Sequence, residues 1–210
     1  MLRKMRRGVV GHSALAVVIV ATVASCHHRR TDVEYVTPAP TPPPRPHGAV
    51  TLQVYVRRPQ ERGGLDPEKA GWVRGKWSIP TAVRVAPDAI SRNIWSATAD
   101  ALARAGIDTT GGPNRLCATV FEFWEDGVGG SGTHVVVFYQ LVDASNRELW
   151  NITVRSGTGE PGDPSVPTAP EVGTGPVDPG LNMFTYALAE LAVRANAAFI
   201  APAFQQAAAR

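Results

Sequence analysis

Three stretches of this chain, Leu116 to Trp124, His134 to Val142 and Glu148 to Ser156, are strand-like, and each follows the last after a short connection. Strands joined this closely leave no room for a crossover helix, so they are expected to pair antiparallel as a meander. The connections carry the right chemistry: Asp126 to Gly132 is glycine-rich, and Asp143-Ala144-Ser145-Asn146 is a run of turn formers. Upstream, Val50, Leu52, Val54 and Val56 alternate with Thr51, Gln53, Tyr55 and Arg57, the two-residue period of a strand with one buried face. Ala82 to Val85 supplies a second strand. Between them Gly63-Gly64, Asp66-Pro67, Gly71 and Gly75 break any period, so residues 58 to 80 are expected to be a loop with at most one short strand.

Two helices complete the set. Ala86-Pro87-Asp88 places proline in a first turn and a carboxylate near the positive helix end, Ile90, Ile94, Ala97, Ala101 and Ala105 fall on one face, and Gly106 is a C′ terminator. From Leu181 to Ile200 the stripe is Phe184, Leu188, Leu191, Ala195 and Ala198, with Pro202 marking the expected end. The order β-β-α-β-β-β-α defines an α+β domain: one antiparallel-dominated sheet of four or five strands with two helices mainly on one face. The central strands carry apolar residues on both faces, so both faces are expected to be covered, by helices, long loops or a partner protein.

The N-terminus has a different character. A cationic start, MLRKMRRG, precedes the ten-residue run Ala14 to Val23 and then small residues before Cys26, the order of a secretory signal. Ten helical residues span about 15 Å, half of a hydrocarbon core about 30 Å thick, which disfavours a permanent span. The alternative is an uncleaved anchor from Gly8 through Ser25, which His12 interrupts. Val23-Ala24-Ser25-Cys26 resembles the lipobox of bacterial lipoproteins. That resemblance implies cleavage between Ser25 and Cys26 and diacylation of the Cys26 thiol. One acyl chain holds only marginally and two or three hold firmly, at about 0.8 kcal/mol per buried CH₂. The domain plan is then a signal peptide over 1–25, a lipidated cysteine with a proline-rich tether over 26–48, and a periplasmic α+β domain over 49–210. As an extended polyproline-type spacer of about 3.1 Å per residue, the tether would hold the domain several nanometres from the bilayer.

Charge narrows the partners. The 210 residues carry a formal +3, but removing residues 1–25 leaves 17 basic against 18 acidic side chains. The basic balance therefore belongs to the leader, and nucleic acid is not an expected partner. With Cys26 acylated, Cys117 is the one remaining thiol, and its apolar strand favours a small buried hydrophobe over a nucleophile.

Motifs that suggest catalysis lack their context. Gly127 to Gly132 matches G-x-G-x-x-G, yet a strand follows where a dinucleotide site needs a helix N-terminus. Glu122, Glu125 and Asp126 form the densest acidic cluster, but Glu122 alternates with Phe121 and Phe123 as a solvent-facing strand residue would. His134 stands at a strand start, and no Gly-x-Ser-x-Gly elbow occurs. His27, His28 and His47 lie in the flexible tether without Cys or acidic partners at ligand spacing, and the acids of the 157–180 insert match no calcium loop. The expectation is a non-enzymatic protein without metal or cofactor. Its most distinctive exposed candidates are aromatic: Trp72, Trp77 and Trp124 as a partner or ligand surface.

From Val83 to Arg155, the helix V-A-P-D-A-I-S-R-N-I-W-S-A-T-A-D-A-L-A-R-A-G-I, an apolar strand, and the hairpin V-V-V-F-Y-Q-L-V-D-A-S-N-R-E-L-W resemble small Gram-negative envelope lipoproteins. The nearest groups are the YajG-like and the ABC-transport auxiliary (PqiC-like) lipoproteins. The resemblance implies a periplasm-facing domain on the outer membrane, with no catalytic residues to carry over. His27 rather than aspartate after Cys26 agrees with outer-membrane sorting. The functional expectation is an accessory or scaffold subunit of an envelope complex for lipid transport or wall assembly, contacting the membrane through its lipid and an envelope protein through its domain. A small-ligand or cell-wall-glycan binding module, with Trp72 or Trp77 as stacking platforms, is the alternative.

Overall fold

The structure, a computed structural model, describes residues 28–30, 33–36, 44–74, 80–127, 132–157 and 183–210. The strands are β1 His28–Arg30, β2 Gly48–Val56, β3 Lys69–Arg74, β4 Pro80–Arg84, β5 Ile107–Asp108, β6 Asn114–Gly127, β7 Gly132–Val142 and β8 Glu148–Ser156. The helices are α1 Ala89–Arg104, α2 Met183–Phe199 and α3 Pro202–Ala208. The leader, Ser25 and Cys26, Trp77, and residues 158–180 of the insert lie outside the described residues.

The class is the expected α+β, but the sheet is mixed and, among the described residues, has eight strands rather than four or five. The β6-β7-β8 meander forms as anticipated, with Arg115 opposite Val142 and Tyr139 opposite Ile152. The other edge of β6 is shared by two strands in succession. β2 pairs with it in parallel from Val50↔Asn114 to Val56↔Val120, and β3 takes over in parallel from Gly71↔Glu125 to Val73↔Gly127. β4 returns antiparallel to β3, β1 adds to β4 in parallel, and β5 pairs with the start of β2. The segment expected to be a loop with at most one short strand contains one, β3. Gly71 makes it possible: its φ is +146°, and a Cβ there would lie 2.1 Å from the Glu125 carbonyl oxygen.

One face of this sheet meets the helices. Leu116, Ala118, Val120 and Phe123 of β6, with Val135, Val137, Tyr139 and Leu141 of β7, are fully buried under Ile90, Ile94, Ala97 and Ala101 of α1 and Phe184, Leu188, Leu191 and Ala195 of α2. Alanine on the inner faces lets the two helices lie close, and Asn196 Nδ2 bridges them by donating to the Ala101 carbonyl at 3.0 Å. Ring contacts set the depth of α2: Phe184 stacks on Phe123 at 4.4 Å, and Phe199 meets Tyr139 edge-on at 5.3 Å. Tyr139 hydroxyl satisfies its buried oxygen against Thr98 Oγ1 at 3.1 Å. The two expected helical stripes are the buried ones, and Gly106 ends α1 with a φ of +73°. Pro202 does not end the architecture: α2 stops at Phe199, and the proline opens α3 as a first-turn residue, which sends Phe204 against Trp150 at 4.8 Å.

Phe184→Ala should lower stability by about 3–5 kcal/mol, because it leaves a void under Phe123 that the sheet cannot close. Equilibrium urea unfolding followed by far-ultraviolet circular dichroism measures it; a loss below about 1 kcal/mol would mean that α2 is not seated on the sheet as described.

Candidate functional site

The proline-rich stretch read as a free spacer is, over its described residues, a docked strap. β1 extends the sheet, Val33 is buried, and residues 33–36 cross both helices. Asn93 brackets the strap: its Nδ2 donates to the Val33 carbonyl at 2.9 Å and its Oδ1 accepts from the Tyr35 amide at 2.6 Å. Two turns further along α1, Asp100 accepts from the Tyr35 hydroxyl at 2.7 Å and from Arg104 Nε at 3.0 Å. From α2, Thr185 Oγ1 donates to the Glu34 carbonyl at 3.1 Å. Burial first, and then the Asp100 carboxylate, push the Tyr35 phenol far above its ordinary value. Farther on, the His47 amide donates to the Gly106 carbonyl at 2.8 Å, and its ring meets Gln205 of α3 at 2.7 Å. The physical reason is that Val33 and Tyr35 offer apolar surface and hydrogen bonds that a purely proline-based spacer lacks. Between Pro44–Pro46 and Ala99, Ala103 and Ile107 a shallow groove of about 420 Å³ remains.

The sheet face away from the helices carries exposed aromatic residues among the described ones. An irregularity between Val120 and Glu122 breaks the alternation expected there: Phe123 turns into the core, while Phe121 joins Phe138 on the outer face at 6.4 Å. Phe121 and Tyr55 are each 41% exposed. Cys117 lies half-buried on this face as a free thiol, in register with Gln53 and Gln140. The face is therefore an aromatic patch ringed by amides, hydroxyls and charges; the sequence missed it because the bulge determines which phenylalanine is outside.

The tryptophan surface is rearranged. Trp124 is only 5% exposed, with Arg62 at 5.6 Å and the Lys69 ammonium at 5.9 Å from its ring centroid. Lys69 also sits 4.2 Å from the half-buried Trp72 ring, so it occupies the space over both indoles. Trp77 lies outside the described residues. Holding this corner is Arg58, a residue that no sequence pattern singled out. Its buried guanidinium donates to the carbonyls of Lys69, Gly63, Asp66 and Pro67 at 2.6–3.3 Å, folding residues 59–68 around one cation. Burial pulls its pKa below the ordinary arginine value, and the nearby Asp66 carboxylate opposes that shift.

Glu122, Glu125 and Asp126 are half-buried strand residues, and His134 pairs in register with Trp124. Among the described residues no group of three or more His, Cys, Asp or Glu is placed to hold a metal ion. Among the same residues no single helix is long and apolar enough to cross a membrane.

No family model matches this chain, and no curated protein matches it. Solved structures do. A Xanthomonas campestris protein of the DUF330 family is 14% identical with a TM-score of 0.47, over 85% of this chain and 98% of that one. The PelC dodecamer of Paraburkholderia phytofirmans is 12% identical with a TM-score of 0.36, over 73% of this chain and 94% of that one. Likeness this distant carries no function across.

Tyr35→Phe should cost about 1 kcal/mol in urea unfolding by removing one hydrogen bond to a carboxylate. Because the folded phenol is held protonated, its contribution is complete below the unfolded value of 10.0 and fades as pH rises beyond it. The gap between wild type and variant should therefore be constant from pH 7 to 9 and shrink above about pH 10; a gap that widens there refutes the Tyr35–Asp100 linkage.

Proposed function

We propose that this chain is a lipid-anchored, periplasm-facing envelope lipoprotein, akin to the YajG-like and PqiC-like groups, that serves as a non-enzymatic scaffold or accessory subunit of an outer-membrane complex. The observation that carries the proposal is the docking of the chain just after Cys26. A domain hung from an acylated residue gains by it, because the fastening turns a lipid anchor into a fixed attachment. The outer sheet face, with Phe121, Phe138 and Tyr55 ringed by polar groups, has the composition of a protein-binding patch. Lipid transport or wall assembly is the class of complex that such a subunit would serve. The glycan-binding alternative, with Trp72 or Trp77 as platforms, is less favoured at Trp72, which Lys69 overlays; Trp77 lies outside the described residues.

The intact mass of the protein extracted from native membranes should correspond to a chain starting at Cys26 with two or three acyl groups. Cys26→Ala should abolish incorporation of labelled palmitate and move the mature domain out of the detergent phase. A native protein that retains Met1, or that carries an unmodified Cys26 thiol, refutes the anchoring. Phe121→Asp, at an exposed position, should change stability by no more than about 0.5 kcal/mol and yet reduce in-cell crosslinks to envelope proteins; undiminished crosslinking removes the outer face from the interface.

A further inference from the structure

Cys26 is two residues before His28, so a backbone of about 3.6 Å per residue cannot place it more than about 7 Å from that strand residue. His28 is fixed in the sheet. It pairs with Ala82, Ala82 with Trp72, and Trp72 with Asp126, a row that crosses the sheet one residue before the end of β6. The first residue of β6, Asn114, and the β7–β8 turn around Ser145 lie at the opposite end of the same long strand pair. At roughly 3.3 Å per residue, the 12 steps from Asp126 back to Asn114 correspond to about 40 Å.

From this geometry we infer that the domain stands on the bilayer by one end: the end of the sheet carrying the His28–Ala82–Trp72–Asp126 row contacts the lipid headgroups, while the β7–β8 turn and the groove beside Pro44–Pro46 point away. The inference rests on the acylation of Cys26 proposed above and adds an orientation to it. The region between hydrocarbon and water is about 5–7 Å deep on each side of a bilayer, comparable to the longest possible leash. The domain is therefore held against the surface, not several nanometres above it. Trp72 and Lys69 at this end suit that setting. Trp72 is half-buried with the Lys69 ammonium over its ring, the pairing of an amphipathic indole with a cation that favours a headgroup layer. The chain then runs away from the membrane: the strap passes Asn93 and Asp100 along α1 and reaches β2 at the far end, where Gly48 pairs with Ile107. A partner approaching from the periplasm meets the far end first and the outer sheet face edgewise.

Single labels decide it. In a Cys117→Ser background, the full acylated protein carrying Arg74→Cys or Ser145→Cys is labelled with a fluorophore. Each is reconstituted into vesicles of phosphatidylethanolamine and phosphatidylglycerol bearing a nitroxide on a fraction of the headgroups. Quenching at position 74 should exceed that at position 145 by about threefold or more, given their separation by most of the length of β6. Inserting ten glycine and serine residues between Cys26 and His27 should erase most of that difference and should raise quenching at position 145 taken alone, a readout that does not depend on how Arg74→Cys folds. Equal or reversed quenching in protein whose mass confirms acylation overturns the orientation and leaves the lipoprotein reading intact. Protein that carries no acyl group and does not bind the vesicles overturns both.

Discussion

The rest of the structure depends on β6 being hydrogen-bonded along both edges. On one side β7 runs antiparallel to nearly all of its 14 residues; on the other, β2 and β3 divide its length between them. Two strands can share one edge only if the chain leaves after Val56 and returns at Gly71, and this excursion is what Arg58 organises. A guanidinium has five donors in a fixed fork, and here five backbone carbonyls converge on it. A neutral or shorter side chain would leave those carbonyls without donors in a buried corner. The sheet in turn supplies a continuous apolar face, and α1 and α2 have no other surface on which to bury their alanine- and phenylalanine-rich stripes.

The helical layer then creates the strap site. α1 presents Asn93, Asp100 and Arg104 on one side, at spacings close to whole turns, and α2 presents Thr185 beside them. Asn93, Asp100 and Thr185 each satisfy a polar group of residues 33–36, Arg104 holds the Asp100 carboxylate, and Val33 is buried in the core. The strap is thus held by a few directed hydrogen bonds with one apolar plug, which makes it a positioning device and not a second core. Its consequence lies at the N-terminal end, where the attachment point proposed for the lipid is coupled to the sheet.

The aromatic residues divide between the two roles of the molecule. Phe123, Phe184, Tyr139, Phe199 and Phe204 interlock beneath the helices. Phe121, Phe138 and Tyr55 lie on the outer face, where apolar area near polar groups suits association. A single irregularity in β6 separates the two sets, since without it Phe121 and Phe123 would share a face.

Much of the fold was legible in one dimension. The 3.6-residue period of Ile90, Ile94, Ala97 and Ala101, the two-residue period of β2, and the turn formers at 143–146 each encode a local conformation through backbone sterics and the side on which apolar atoms fall. The lipobox resemblance and the partner expectation came from the same kind of local pattern. Hidden were the parallel pairing of β3 with β6, the docking of residues 28–30 and 33–36, and the burial of Trp124. These depend on pairings between residues far apart in the chain: a glycine that admits the Glu125 carbonyl, an asparagine that grips Val33, a lysine laid over two indoles. Local sequence records what each residue prefers beside its neighbours; only the folded sheet and its helices determine which distant group it meets.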